Sequence, residues 1–186
     1  MANNCEYTMK VVGTKKNIDE FIQVMQADYD YQTKTFEYDR HMGGKVFEAE
    51  LYEQNSREDK LSEAWINGYC AWSVSICMFG GEHSYYNDFK KRADCRSTTI
   101  PIESKKLNLD IEIYSSEPGC EFQEHYLVRK GKVEIDETTE YLCLYVDEFK
   151  TKKEAEENFN EKFSKEEWEG RTDCIERGGF DWEWHI

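Results

Sequence analysis

Cys5-Glu6-Tyr7-Thr8-Met9-Lys10-Val11-Val12-Gly13, then Thr14-Lys15-Lys16-Asn17-Ile18-Asp19-Glu20-Phe21-Ile22-Gln23-Val24-Met25-Gln26-Ala27, is the most legible stretch of this 186-residue chain. In the first part Tyr7, Met9 and Val11 alternate with Glu6, Thr8 and Lys10, the period of a strand with one buried face. Gly13 ends it. Asn17, with Glu20 three residues on, reads as an N-cap and capping box. Ile18, Phe21, Ile22 and Met25 then fall at i, i+3, i+4 and i+7, so one apolar stripe runs along a helix to about Ala27. A strand leading into an amphipathic helix points to an α+β chain.

Outward from this opening, most signals are strands. Gly43-Gly44 precedes Val46–Tyr52, where Phe47, Ala49 and Leu51 alternate with Glu48 and Glu50. Asn55 to Asp59 reads as a turn, and Leu61 to Trp65 as a loop end or helical turn. Tyr69 to Phe79 is period-two, with Cys70, Trp72, Val74, Ile76 and Met78 on one face and small residues on the other, the pattern of a central strand. Tyr31 to Tyr38 reads as a short strand or aromatic loop, and Ser84 to Lys91 as a helix ending in the basic run Lys90-Lys91-Arg92. Leu109–Tyr114 is a strand, Glu121–Arg129 and Lys132–Ile135 form a hairpin about Lys130-Gly131, and Glu140–Val146 is a further strand. Glu117-Pro118-Gly119 has the chemistry of a type II turn, with Gly at the positive-φ position. Thr151 and Glu154 repeat the capping box before a helix carrying Ala155, Phe159 and Phe163 on one side. In Phe180-Asp181-Trp182-Glu183-Trp184-His185-Ile186 rings alternate with acids, which predicts a last edge strand.

Composition narrows the classes. A 15% aromatic share argues against wholesale disorder despite 34% charged residues. No apolar run approaches the ~20 residues of a membrane helix, and the N-terminus has no signal-peptide pattern, so a cytoplasmic protein is expected. The seven cysteines are odd in number with no C-x-x-C pair, and are expected as free thiols. The formal charge is −15, unevenly spread: residues 1–108 hold 17 acids and 14 bases, residues 109–186 hold 22 and 10. Such a surface repels phosphate backbones, which disfavours direct nucleic-acid binding and favours a basic partner surface.

No phosphate-binding loop, dinucleotide fingerprint, nucleophile elbow or zinc-protease helix occurs. His41, His83, His125 and His185 are far apart, none beside a second ligand at metal spacing, so no catalytic residue, cofactor or metal is assigned. Candidate partner-binding residues lie in the acidic C-terminal part: Glu156, Glu157, Glu161, Glu166, Glu167, Trp168, Trp182 and Trp184. Aromatics within a charged rim suit an interface centre.

One segment also carries a resemblance. Leu109-Asp110-Ile111-Glu112-Ile113-Tyr114, Ser115-Ser116-Glu117-Pro118-Gly119-Cys120-Glu121-Phe122, and a strand ending at Gly131 resemble the YubB ferredoxin-like family of plasmid and phage proteins. That family has a Tyr-x-Glu-Pro-Gly-x-x-Phe turn; here one more residue separates Tyr114 from Glu117. Asn4-Cys5 into Val11-Val12-Gly13, and Trp65 with Asn67-Gly68-Tyr69-Cys70-Ala71-Trp72, also resemble its opening strand and central segment. The family's Trp-x-Pro-Pro element has no counterpart beyond Thr99-Ile100-Pro101. The resemblance covers about residues 3–149 and implies a ferredoxin-like α+β sandwich without an iron–sulfur cluster, in a mobile-element setting.

The expected architecture is therefore a ferredoxin-like sandwich over residues 1–149, an antiparallel-rich sheet with helices on one face. An acidic helix and strand over residues 150–186 pack on it. The expected function is a non-enzymatic acidic protein that blocks a basic, nucleic-acid-binding surface of a host defence or nucleic-acid-handling protein. The alternatives are a carboxylate-based hydrolase or small-molecule binder, and a self-assembling protein that forms a homodimer through its C-terminal edge strand.

Overall fold

A computed structural model describes residues 3–27, 29–30, 35–36, 38–42, 46–57, 60–80 and 97–186. The chain is α+β, built on a seven-stranded sheet in which every neighbouring pair is antiparallel. Its strands are β1 (Asn4–Gly13), β5 (Val46–Ser56), β6 (Ser62–Ala71), β8 (Asp110–Glu117), β9 (Phe122–Arg129), β10 (Lys132–Tyr145) and β11 (Cys174–Gly178). Their order is β11-β10-β9-β8-β1-β6-β5. Two small ladders complete the strands among the described residues: β2 (Tyr29–Asp30) with β3 (Thr35–Phe36), and β4 (His41–Met42) parallel to β7 (Ser97–Thr98). Among the described residues the helices are α1 (Lys15–Gln26), α2 (Val74–Met78), α3 (Ile100–Leu107), α4 (Lys152–Phe159) and α5 (Lys165–Gly170). Seven strands exceed the four of a ferredoxin-like sandwich, so the sheet is larger than the sequence suggested.

The opening strand and helix form as their periodicity predicts. Cys5, Tyr7, Met9 and Val11 are buried, and Ile18, Phe21, Val24 and Met25 of α1 meet them in the main core with Ile111, Ile113, Tyr126 and Val128. The cap differs: Thr14, not Asn17, is the N-cap, and its hydroxyl accepts from the Asn17 amide N–H at 3.3 Å. Asn17 lies inside the helix and donates its side-chain amide to the Leu107 carbonyl at 2.6 Å, tying α1 to α3.

Four further expectations are corrected. Leu61 to Trp65 is not a loop: Ser62–Ala71 is one strand, and the period-two run beyond it does not continue as strand. Trp72 takes a left-handed φ of 65°, Ser73 caps α2 by accepting from the Ile76 N–H, and the chain turns. Lys132 to Tyr145 is one long strand rather than two. At Glu117-Pro118-Gly119 the chain makes a 3-10 turn, Pro118–Cys120, and Glu121, not Gly119, adopts the left-handed conformation with φ 60°. The hairpin at Lys130-Gly131 stands: both residues have positive φ, 49° and 89°, as a tight β9–β10 connection requires. Most of Tyr31–Tyr38, and the predicted helix Ser84–Lys91 with its basic run, lie outside the described residues.

At the end of the sheet, Leu144 and Ile175, opposite one another on β10 and β11, pack with Val146, Ala155 and Phe163. This small core is separate from the main one and lies under α4 and α5. The Thr151–Glu154 capping box forms, and Ser164 with Glu167 makes a second before α5. No described helix is long and apolar enough to cross a membrane.

Candidate functional site

The sheet has two unlike faces. Helices α1 and α3 pack on one. The other carries alternate residues of the same strands: Glu6, Thr8 and Lys10 from β1, Trp65, Asn67 and Tyr69 from β6, Glu112, Tyr114 and Ser116 from β8, and His125 from β9. Part of this second face is covered by the chain's own C-terminus.

The last strand is Cys174–Gly178, and Phe180 to Ile186 is not a strand, contrary to the expectation. Gly178 and Gly179 both have positive φ, 70° and 86°, and reverse the chain at the sheet edge. A Cβ on Gly178 would lie 2.5 Å from the Glu140 carbonyl, so the turn leaves no room for a side chain. The tail is then pinned along the face. The Gln123 side-chain oxygen accepts from the Phe180 N–H, and the Tyr114 hydroxyl donates to the Glu183 carbonyl at 2.9 Å. Trp182 stacks on Tyr114 with centroids 5.1 Å apart, and Trp184 meets Trp65 edge-on at 4.8 Å. Arg129 donates to the His185 carbonyl at 3.1 Å.

Under the tail sits a buried carboxylate. Glu112 is 0% exposed, and its Oε1 lies 2.9 Å from His125 Nε2 and 2.6 Å from His185 Nδ1. Its Oε2 accepts the His185 backbone N–H at 2.6 Å. Burial by itself would raise this carboxyl, but the hydrogen bonds from His125 and His185 outweigh it and hold Glu112 below the ordinary carboxylate value. Tyr114, flanked by the His125 ring at 4.0 Å and 7°, is pushed up to about 12 by burial and by the Glu112 charge. Lys10, opposite Glu112 in the register, turns its ammonium to Glu63 at 3.7 Å and to the Trp65 ring at 5.2 Å.

Beside this cluster lies a cleft of about 330 Å³ between β5, β6, β1 and the tail. Glu6, Glu48 and Glu50 give it three carboxylates, Tyr69 and Trp182 aromatic walls, and Thr8, Asn67 and Ser116 a polar lining. Its floor depends on Gly68. The Tyr7 ring runs beneath and donates to the Glu48 carbonyl at 2.7 Å, and a Cβ at Gly68 would lie 2.5 Å from the Tyr7 hydroxyl. Among the described residues no cation pairs with Glu6, Glu48 or Glu50, so three carboxylates without an ion-pair partner line one cleft.

Four of the five acids singled out by sequence differ in that respect. Glu156 pairs with Lys152 and Lys162 and accepts from the Phe163 N–H, Glu157 pairs with Lys153, and Glu161 and Glu167 both meet Arg177. Glu166 lies in the first turn of α5. Trp168 belongs to the small core, stacked on Phe163 with Arg171 over its ring. Trp182 and Trp184 lie instead against β8 and β6, so the eight residues fall into two groups rather than one patch.

Sequence reasoning missed Glu112, His125 and His185 because 13 and 73 residues separate the carboxylate from the two rings. The one usable signal was alternation, which sets Glu112 and Tyr114 on the face opposite Ile111 and Ile113. Cys5, Cys70 and Cys77 are buried together in the core, and hydrogen bonding to Cys5 and Cys77, with burial, raises the Cys70 thiol. No family model matches the chain, and neither the curated proteins nor the solved structures compared with it contain a match.

Proposed function

We propose that this is a binding protein that docks on a basic surface of another protein, taking an arginine or lysine side chain into the cleft of Glu6, Glu48, Glu50, Tyr69 and Trp182. The unpaired state of those three carboxylates, among the described residues, is the observation that carries the reading. A guanidinium or ammonium gains charge-assisted hydrogen bonds from the acids and a cation–π contact from the rings. The −15 net charge speeds encounter with a basic partner and repels nucleic acid. The partner class this favours is a protein whose basic surface ordinarily holds nucleic acid. A host target and a phage or plasmid setting rest on the Glu117-Pro118-Gly119 resemblance alone.

The sheet order supports the finer fold reading. The path β1-α1-β5-β6-α3-β8, with strand order β8-β1-β6-β5, is a βαββαβ unit. We take it as a ferredoxin-like core that β9, β10 and β11 extend on one side.

The test is a fluorescence titration, through Trp182, with a short arginine-rich peptide at low and at high salt. Binding that weakens with salt and is lost in the double variant Glu48→Lys, Glu50→Lys supports the reading. Absence of binding at low salt, or equal affinity in the double variant, sinks it.

A further inference from the structure

We infer that Glu112, His125 and His185 form a binding site for one divalent transition-metal ion of the zinc class, with the C-terminal tail supplying one ligand. The inference goes beyond the docking reading and stands without it, because it rests on other residues.

The donor set is the first argument. Two imidazoles and a carboxylate suit zinc and its neighbours, whereas magnesium and calcium prefer oxygen donors. Geometry is the second. One ligand atom from each of the three residues lies within 4.8 Å of the others. The two ring nitrogens converge on the same carboxylate oxygen, at 2.9 and 2.6 Å. Tetrahedral bonds of about 2.0–2.2 Å hold ligand atoms about 3.4 Å apart, so an ion entering here would push both nitrogens back from the carboxylate oxygen by roughly 0.5–0.8 Å. In the metal-bound form His125 Nε2 and His185 Nδ1 offer lone pairs, so each ring carries its proton on the other nitrogen.

The surroundings are the third argument. Glu112 and His125 are held by buried strands, and His125 is further fixed by its stack on Tyr114. The side chain of His185 is 46% exposed, which gives an ion a way in and leaves a fourth position for water. Both nearby cations among the described residues are otherwise engaged: Lys10 with Glu63 and Trp65, Arg129 with Asp110, Glu134 and the His185 carbonyl. Among the described residues Glu112 is therefore met by the two imidazoles and the His185 backbone N–H, and by no lysine or arginine.

Such an ion would join β8 and β9 to the tail. Trp182, three residues before His185, forms a wall of the neighbouring cleft, so metal occupancy would fix that wall. A metal site of this kind and a cation-accepting cleft meet in one tail.

The test uses the full chain, reduced and stripped of metal with a chelator, and titrated with cobalt(II). Cobalt reports its ligands in its spectrum, which separates this site from the cysteines. The expected result is one cobalt per chain, no sulfur-to-metal charge-transfer band, and displacement by zinc. His185→Ala should keep the circular dichroism of the wild type and bind more than about 100-fold more weakly, beyond the upper end for loss of an outer-shell partner. Nitrogen-detected NMR of the wild-type rings gives a second reading that needs no variant: zinc should shift His125 and His185 and leave His41 and His83 in place. No uptake, a thiolate band, unchanged affinity in His185→Ala, or unshifted His125 and His185 rings would each overturn the site. Failure of the peptide titration would leave these results untouched, so the two ideas fail separately.

Discussion

The two faces of this sheet bury carboxylates by different means. On the helix-covered face, Glu124 is 3% exposed and accepts from the Val74 and Ser75 backbone N–H groups, the Ser115 hydroxyl and the Tyr126 hydroxyl. It anchors the start of α2 to β9. Burial is the larger influence there and the four hydrogen bonds only offset it, so this carboxyl sits above its ordinary value. On the tail-covered face, Glu112 is equally buried, but its partners are two imidazoles and one backbone N–H, and it sits below its ordinary value. The first face is closed by elements near in sequence and dominated by apolar packing. The second is closed by seven residues from the chain's end, held by rings, hydrogen bonds and a carboxylate–imidazole cluster. The contrast teaches that one sheet can bury a carboxylate with backbone and hydroxyl donors on one side and with imidazoles on the other.

The comparison breaks most visibly if the helix face is not the main source of stability. Phe21, fully buried between α1 and the sheet, is its most direct probe. Phe21→Ala should cost about 3–5 kcal/mol in urea unfolding, the usual range for losing a buried ring. A cost below about 1 kcal/mol would mean that the core is distributed otherwise than described.

The tail face should answer to its turn. Gly178→Ala puts a Cβ 2.5 Å from the Glu140 carbonyl at a φ of 70°. We expect a loss of about 1–2 kcal/mol from the left-handed backbone, with more from the clash. The loss should appear mainly as local release of the tail: faster proteolysis near Phe180 and changed tryptophan fluorescence, with the main unfolding transition less affected. A transition shifted as far as in Phe21→Ala would show that the two faces are one cooperative unit.

The smallest effect is a pH slope. Because Glu124 has a folded value above its unfolded value of about 4.3, the folded chain holds a proton that the unfolded chain has released. Its contribution is thus most favourable below about pH 4.3 and is lost as the pH rises through the raised folded value. Glu124→Gln removes this titration. The urea midpoint of the wild type, relative to that of the variant, should fall as the pH rises from about 4 toward neutrality. A flat or rising difference would contradict the raised value.

Much of the sheet was legible in the residues. Alternation marked β1, β5 and β8, the Lys130-Gly131 pair marked the hairpin that contains β9, and the Thr151–Glu154 box marked α4. Each is a local signal, readable because the interaction that produces it spans a few residues. The errors have the same origin. Tyr69 to Phe79 keeps strand periodicity across a change of structure, because Trp72 turns left-handed and Ser73 finds a cap only in the folded chain. Phe180 to Ile186 alternates like an edge strand, but its backbone pairs with side chains of β8 and β9 rather than with a strand.

The sequence by itself determined that the chain is α+β, that its opening strand and helix share a core, and that it carries a net charge of −15. Only the tertiary structure decided which face is bare of helices, where the tail returns, and that Glu112, His125 and His185 meet. The reason is physical. Periodicity encodes which residues of an element share a face, but convergence of residues 13 and 73 positions apart depends on strand order and on one glycine turn.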